Sequence, residues 1–345
     1  MSRSGSPSRV AHERSSDLLD ISRMKAIVHE TYGSPDVLRL RDVPKPVVDA
    51  DSVLVRVRAA SVNAADWHIM RGLPYLLRMS SGLRKPKRIV AGVDMAGHVE
   101  AVGKNVSQFR AGDEVFGQRG GAFAEYVCAA ENKFAPKPAN LTFEQAAAVP
   151  MAGFTALQGL RDKGQIRSGQ SVLINGAAGG VGTFAVQIAK SFGARVTGVC
   201  STRNIDTVRS IGADQVIDYT REDFTRSGQR YDLILDVAST HPLSDCRRVL
   251  GANGILVMIG SADGRRMRPF LARLLASIVL SRFGSQKMLP FLARFRKQDL
   301  TVLTELIEAG KVTPVIDRTY PLSETAAAVR YLEEGHPRGK VVITV

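Results

Sequence analysis

The sequence predicts an α/β protein of two domains, a small all-β domain and a parallel sheet alternating with helices. Short alternating or β-branched runs recur from Met24 to about residue 140, and from Phe143 onward strand-like runs alternate with helical patterns. Between Ser171 and Gly182 an apolar run passes through a turn of small residues straight into a helical pattern over Thr183–Phe192. That succession requires a buried strand followed at once by a helix packed on it.

In the first part, strands are expected at Lys25–Val28, Ser52–Ala59, Gly97–Val102, Glu114–Phe116 and Ala124–Cys128. Turn signals at Tyr32-Gly33-Ser34-Pro35, Pro44-Lys45-Pro46 and Ala111-Gly112-Asp113 separate them, a spacing that suits a small barrel. In the second part, strands are expected at Ser171–Asn175, Arg195–Cys200, Gln215–Asp218, Asp232–Asp236 and Gly254–Ile259. Helical patterns between them imply right-handed crossovers and a doubly wound parallel sheet. Leu300–Ala309 reads as a further helix. Lys340–Val345 reads as a strand with too little around it to stand alone, so it is expected to return to the barrel. No internal repeat is visible.

The turn after Ser171–Asn175 carries Ala177, Gly179 and Gly182, an A-x-G-x-x-G form of the glycine fingerprint of a Rossmann dinucleotide site. Gly179 lets the backbone approach a pyrophosphate, and Gly182 lets helix and strand pack closely. The backbone of Ala178, Gly180 and Val181 completes the turn. The helix N-terminus presents unpaired N–H groups and a positive dipole end to the phosphates.

Bulk properties narrow the class. With 44% hydrophobic residues the chain can bury ordinary cores, and no apolar run reaches the roughly 18 residues that cross a bilayer. Residues 1–23 are rich in Ser and Arg without an apolar centre, and read as a disordered extension rather than a secretory signal. Cys128, Cys200 and Cys246 are scattered, which suits a reduced, cytoplasmic protein without a structural metal. The net charge of +14 is concentrated: nine basic residues against one acid between Asp263 and Lys297 hold more than half of it. The rest is an ordinary mixed surface, and no nucleic-acid partner is expected.

Six windows and the glycine turn, in order, then resemble one family, from about Met24 to Val345. They are Ser61-Val62-Asn63-Ala64-Ala65-Asp66-Trp67, Gly92-Val93-Asp94-Met95-Ala96-Gly97, Gly112-Asp113-Glu114-Val115-Phe116-Gly117 and Gly121-Ala122-Phe123-Ala124-Glu125-Tyr126, followed by Ala147–Leu157 with the glycine turn, and Gly339-Lys340-Val341-Val342. The chain resembles the zinc-independent, quinone oxidoreductase-like branch of the medium-chain dehydrogenase/reductase superfamily. The resemblance implies a GroES-like barrel over 24–142, completed by 318–345, and a Rossmann domain over 143–317, with the active site in the cleft between them. A homodimer is the family expectation.

Zinc-dependent relatives use a Cys, a Gly-His-Glu and a further Cys or Asp. Here Ser61–Asp66 holds no Cys, Val93 replaces the histidine, and the structural-zinc loop is missing between Gly117 and Phe123. A catalytic zinc needs three protein ligands, so none is expected. An NAD site places a carboxylate about 20 residues after the turn, on the ribose 2′-hydroxyl. Here Ser201, Thr202 and Arg203 stand there instead, and a guanidinium can hold a 2′-phosphate bidentately. The expected cofactor is NADPH, with Tyr219 beside the adenosine, Gly260 after the fifth strand, and Lys340 and Arg338 adding positive charge.

By the same resemblance, Asn63 contacts substrate or nicotinamide, Asp66 orients its loop, and Thr155 contacts the nicotinamide amide. His68, near the nicotinamide, is a candidate proton donor with a pKa near neutrality, and Tyr75 is another. His29, His98, His241 and His336 share no ligand spacing.

Residues 263–297 depart from the compact family pattern: Pro269–Leu280 is apolar with arginines at both ends. A lid or dimer-contact helix, or a basic amphipathic helix in weak contact with an anionic membrane, would each fit. The leading expectation is an NADPH-dependent, zinc-independent enzyme passing hydride to quinones or α,β-unsaturated carbonyls. The alternatives are an NAD(P)-dependent alcohol/ketone dehydrogenase and a non-catalytic NADPH-binding redox sensor.

Overall fold

The computed structural model describes residues 23–75, 78–87, 89–259, 267–282, 284–335 and 337–345, without the side chains of 80, 267–272 and 274. The expected extension over 1–23, except its last residue, lies outside the described residues. Seven strands form the first part: β1 (Arg23–Val28), β2 (Arg39–Pro44), β3 (Ser52–Val62), β4 (Asp94–Val102), β5 (Glu114–Gln118), β6 (Tyr126–Ala130) and β7 (Phe134–Pro136). Six form the parallel sheet: β8 (Ser171–Asn175), β9 (Arg195–Cys200), β10 (Gln215–Asp218), β11 (Tyr231–Asp236), β12 (Leu250–Met258) and β13 (Lys287–Pro290). β14 (Ile316–Pro321) and β15 (Lys340–Thr344) end the chain.

β15 does return to the first sheet. It pairs antiparallel with β3, Val341 facing Val62, and the order across that sheet is β14-β15-β3-β4-β5-β7, with β6 also on β3. This register puts Lys340, one residue before Val341, beside the end of β3 where Asn63 leaves the sheet. β15 is buried almost throughout, so its apolar side chains can only settle against the barrel.

The six-stranded sheet runs β10-β9-β8-β11-β12-β13. Its direction of winding reverses between β8 and β11, which makes their C-terminal ends the switch-point crevice of a doubly wound sheet. Asn175 and Asp236 close those two strands, and Asn175 Nδ2 donates to Asp236 Oδ1 at 2.8 Å. A single apolar cluster runs from the barrel (Ala59, Ala96, Phe116, Val342) through the helix Pro150–Gln158 into the helix Gly180–Ser191 and the parallel sheet. The crevice and the barrel therefore share one core.

Segment 263–297, expected as a lid, a dimer-contact helix or a membrane-surface helix, also contributes to the parallel sheet. Its helix Met267–Arg282 is the crossover leading to β13, which pairs parallel with β12 as a sixth strand. β13 is four residues long with only Met288 buried, and an edge strand that short leaves little alternation to read. β2 carries little strand signal for a similar reason: it is mostly exposed and, among the described residues, pairs with β1 alone. Arg273, counted among the basic surface, instead turns inward, donating to Asp236 Oδ2 at 2.8 Å and to the His241 carbonyl at 2.7 Å.

The strand-to-helix turn is tight where the motif demands it. Gly176 takes φ 88°, supplying the turn one residue ahead of Ala177. A Cβ on Gly182 would stand 2.0 Å from the Gly176 carbonyl oxygen. Gly182→Ala is expected to lower stability by about 1–3 kcal/mol, read by urea unfolding; unchanged stability would show that the turn has room to move.

Candidate active site

The site grows from the end of β3. Asn63 is extended (φ −127°, ψ 159°) and starts the helix Ala64–Arg71. Asp66, at the third helical position, reaches back and accepts the Asn63 N–H on Oδ2 at 2.7 Å, which satisfies an otherwise orphaned donor. Asp66 thus orients this turn. The Asn63 carboxamide points elsewhere: Nδ2 donates to Asp94 Oδ2 at 2.9 Å and to the Ser61 carbonyl at 3.3 Å, and Oδ1 accepts from Lys340 Nζ at 2.5 Å. Both Nδ2 hydrogens are engaged by protein, so a ligand must compete for them or use the remaining lone pair of Oδ1.

Asp94, at the start of β4, was absent from the expected site residues. Besides Asn63 it accepts from Gln118 Nε2 at 3.2 Å and from the backbone N–H of Met151 at 3.0 Å, which ties β5 and the helix Pro150–Gln158 to the same point. Asn63, Asp66, Asp94 and Lys340 are all buried. Burial pushes the Asp66 carboxyl up to about 7 and that of Asp94 up to about 6. Burial also pushes the Lys340 ammonium down, against the pull of the two acids.

Lys340 corrects one expectation. It does not join the adenosine end of the crevice. A Cβ built on Gly180 would lie 3.0 Å from Lys340 Cδ, so its stem runs along the glycine turn while its head reaches Asn63 and the Val62 carbonyl, the latter at 3.2 Å. One side chain thereby spans the distance between turn and barrel. In the turn, Gly179 precedes the helix Gly180–Ser191 in extended conformation, Ala178 is buried and Val181 half-buried. The first N–H groups of that helix have no intrahelical acceptor.

Two further candidates hold local positions. Thr155 Oγ1 donates to the Met151 carbonyl at 2.5 Å, one turn back on its own helix. His68 stacks on Trp67 with ring centroids 3.7 Å apart, and its Nδ1 lies 2.9 Å from the Leu73 carbonyl. An Nδ1 hydrogen on that carbonyl leaves Nε2 without a proton in the neutral ring, and burial holds the His68 pKa below its ordinary value. Tyr75 is exposed. Gly260 lies outside the described residues.

At the far end of the crevice a cavity of about 690 Å³ is lined by Ser201, Thr202, Arg203 and Tyr219 from the parallel sheet, and by Asp317, Arg318, Tyr331, Glu334 and Arg338 from the C-terminal part. Three guanidinium groups thus meet two carboxylates. Asp317 is already engaged, accepting from the Tyr331 hydroxyl at 2.7 Å and the Arg338 N–H at 2.9 Å. The Arg318 guanidinium sits 4.1 Å from the centroid of the Tyr331 ring. The Thr202 hydroxyl, expected to face a ligand phosphate, donates to Asp218 Oδ2 at 2.5 Å instead. Arg338 takes the place that Lys340 was expected to share. Arg318 and Tyr331 carried no sequence signal, because they come from β14 and from the helix Thr325–Glu333, distant in the chain from the glycine turn.

Removing the ammonium leaves two buried acids without their counter-charge. Lys340→Met is expected to lower stability by about 3–5 kcal/mol. The loss should be larger at about pH 8 than at about pH 5.5, since carboxyls raised to about 6 and 7 are neutral on the acid side and charged on the alkaline side. Thermal melts at the two pH values read this directly, and a loss independent of pH would contradict it.

The comparisons with known proteins agree with this geometry. Residues 49–139 match the alcohol dehydrogenase GroES-like domain, and residues 211–343 the family described as zinc-binding dehydrogenase. The chain is 32% identical to the chloroplast envelope quinone oxidoreductase homolog of Arabidopsis thaliana, over 93% of this chain and 98% of the relative. It is 34% identical to 2-methylene-furan-3-one reductase of Solanum lycopersicum, over 99% and 84%. Among solved structures, the quinone oxidoreductase from Coxiella burnetii superposes with a TM-score of 0.82 at 32% identity, covering 94% of this chain and 99% of that one.

The second family description implies zinc, and the residues here do not fit it. Val93 occupies the histidine position, Asp94 is taken up by Asn63, Gln118 and Met151, and an ammonium stands beside it. Among the described residues no three His, Cys, Asp or Glu side chains are grouped to hold a metal ion. A crevice at the switch point, a glycine turn ending in helical N–H groups and a basic far cavity do fit a dinucleotide. The chain belongs to the quinone oxidoreductase-like branch of the medium-chain dehydrogenase/reductase superfamily.

Proposed function

We propose that the protein is an NADPH-dependent reductase of quinones or α,β-unsaturated carbonyls that works without zinc. The observation that carries the cofactor choice is the cavity in which Arg203, Arg318 and Arg338 converge, with no carboxylate at the end of β9 to meet a ribose 2′-hydroxyl. A 2′-phosphate suits such a cavity, because guanidinium groups make strong, bidentate contacts to it. Tyr219 offers an exposed ring to the adenine, and the helix starting at Gly180 offers its N–H groups to the pyrophosphate, beside the Lys340 stem.

A bound reduced nicotinamide supplies the hydride. The protein's part is to hold the ring against the buried Asn63–Asp94–Lys340 network and to exclude water. A conjugated acceptor suits a site without a Lewis acid, since hydride adds at carbon and the charge spreads to a remote oxygen. A saturated ketone needs its own oxygen strongly polarised, and that support is missing here. The Arabidopsis relative, named as a quinone oxidoreductase homolog, and the tomato relative, named as a 2-methylene-furan-3-one reductase, support the same reading.

A homodimer and a weak membrane-surface contact belong to the same proposal. The crossover helix exposes Leu275, Ile278 and Val279 on a strongly basic segment. No helix among the described residues is long and apolar enough to cross a membrane, so the contact would lie in the interface.

Turnover is followed by nicotinamide absorbance with a quinone, an enone, a saturated ketone and an aldehyde, using NADPH and NADH in parallel. Turnover of the quinone or enone with NADPH preferred is expected. Equal catalytic efficiency with both cofactors overturns the cofactor choice, and preference for the ketone overturns the acceptor class. Arg203→Gln combined with Arg338→Gln should raise the NADPH KM about tenfold or more, with the NADH KM little changed. Co-sedimentation with anionic liposomes at low salt, lost at high salt, is expected of the basic helix.

A further inference from the structure

The buried cluster beside the glycine turn contains one cation and two acids. Asp66 enters from the helix Ala64–Arg71, Asp94 from β4 and Lys340 from β15. These are the only charged groups acting on one another here among the described residues. β5 contributes the neutral Gln118 amide, and the helix Pro150–Gln158 contributes a backbone N–H. Fully ionised, the cluster would carry one net negative charge out of reach of water. A single proton makes it neutral; burial pulls toward that state while the hydrogen bonds and the Lys340 charge pull against it, so the proton is only partly bound near neutral pH.

The hydrogen bonds decide where the proton rests. Asp94 accepts from Asn63, Gln118 and Met151, which favours its charged form. Asp66 draws its hydrogen bonds from Asn63 alone. Asp66 is therefore the more readily protonated acid. The Lys340 stem in turn lies against Gly180, the first residue of the helix whose N-terminus faces the crevice. Negative charge seated on that turn would favour the ammonium and disfavour a second carboxylate.

We propose that Asp66 is a proton store, filled from solvent when an anionic dinucleotide settles on the glycine turn and its charge acts on the buried Lys340, Asp94 and Asp66. The proposal rests on the dinucleotide reading of the preceding section. In the filling step one carboxylate oxygen of Asp66 takes one proton and becomes a carboxyl, with no change in oxidation state. Reduction of a quinone or an enone consumes one proton with each hydride, so a one-proton store matches the stoichiometry of the proposed reaction. Asp66 acts here by holding a proton and positioning Asn63.

The test is calorimetric titration with NADPH, and separately with NADH, at about pH 7.5, in two buffers of different ionisation enthalpy. The unaltered protein should take up a large part of one proton on binding, and Asp66→Asn should take up clearly less while still binding. NADH serves because it lacks the 2′-phosphate, which titrates in the same range. Equal proton counts for both proteins with binding intact overturn the store and leave the cofactor reading standing. Failure of the unaltered protein to bind either dinucleotide overturns the reading beneath it. Should Asp66→Asn not fold, the unaltered protein decides alone: NADH affinity should fall up to about tenfold per pH unit above about pH 7, and a flat profile overturns the store.

Discussion

The arrangement depends on one buried ammonium. Lys340 is the first residue of the last strand, yet its head hydrogen-bonds Asn63 at the end of β3 and its stem lies against Gly180 at the start of the dinucleotide helix. A buried cation is tolerated only with acids and acceptors around it. Asp94, Asp66, the Val62 carbonyl and Asn63 supply these. Barrel, glycine turn and C-terminal strand are thus held in one geometry by a contact that none of them could make alone.

The same network answers how a member of a family described by its zinc can lack the residues to bind it. At the mouth of the barrel, positive charge comes from a side chain, and the carboxylate beside it is spent on positioning. An ammonium cannot coordinate a substrate oxygen as a metal ion does, and it donates hydrogen bonds in place of open coordination sites. That difference favours acceptors whose own conjugation carries the charge.

The two ends of the crevice follow opposite electrostatic rules. At the far end Arg203, Arg318 and Arg338 line an open cavity together with Asp317 and Glu334. At the near end Asp66, Asp94 and Lys340 are buried, so their positions answer to hydrogen bonds from protein rather than from water. Charge at one end selects a ligand. Charge at the other fixes side-chain positions.

By itself the sequence determined the local elements and the chemistry they carry. β8, β9 and β10 fall on the expected residues, since buried parallel strands are short apolar runs with sharp limits. The close packing at Gly182 was legible for the same reason, since it answers to backbone geometry within a few residues, whereas the positive φ falls on Gly176, one residue ahead of the expected first position Ala177. The missing zinc ligands could be read off Val93 and the cysteine-free Ser61–Asp66 window. Tertiary structure alone decided which of these residues meet. Asp94 joined Asn63 across the β3–β4 pair, Lys340 moved from the adenosine end to the barrel, and Arg318 and Tyr331 entered the far cavity from distant elements. β13 and β2 stayed hidden because an exposed or four-residue strand has almost no periodicity of its own. Register and burial are properties of paired strands, and a charge finds its partner only once both are set.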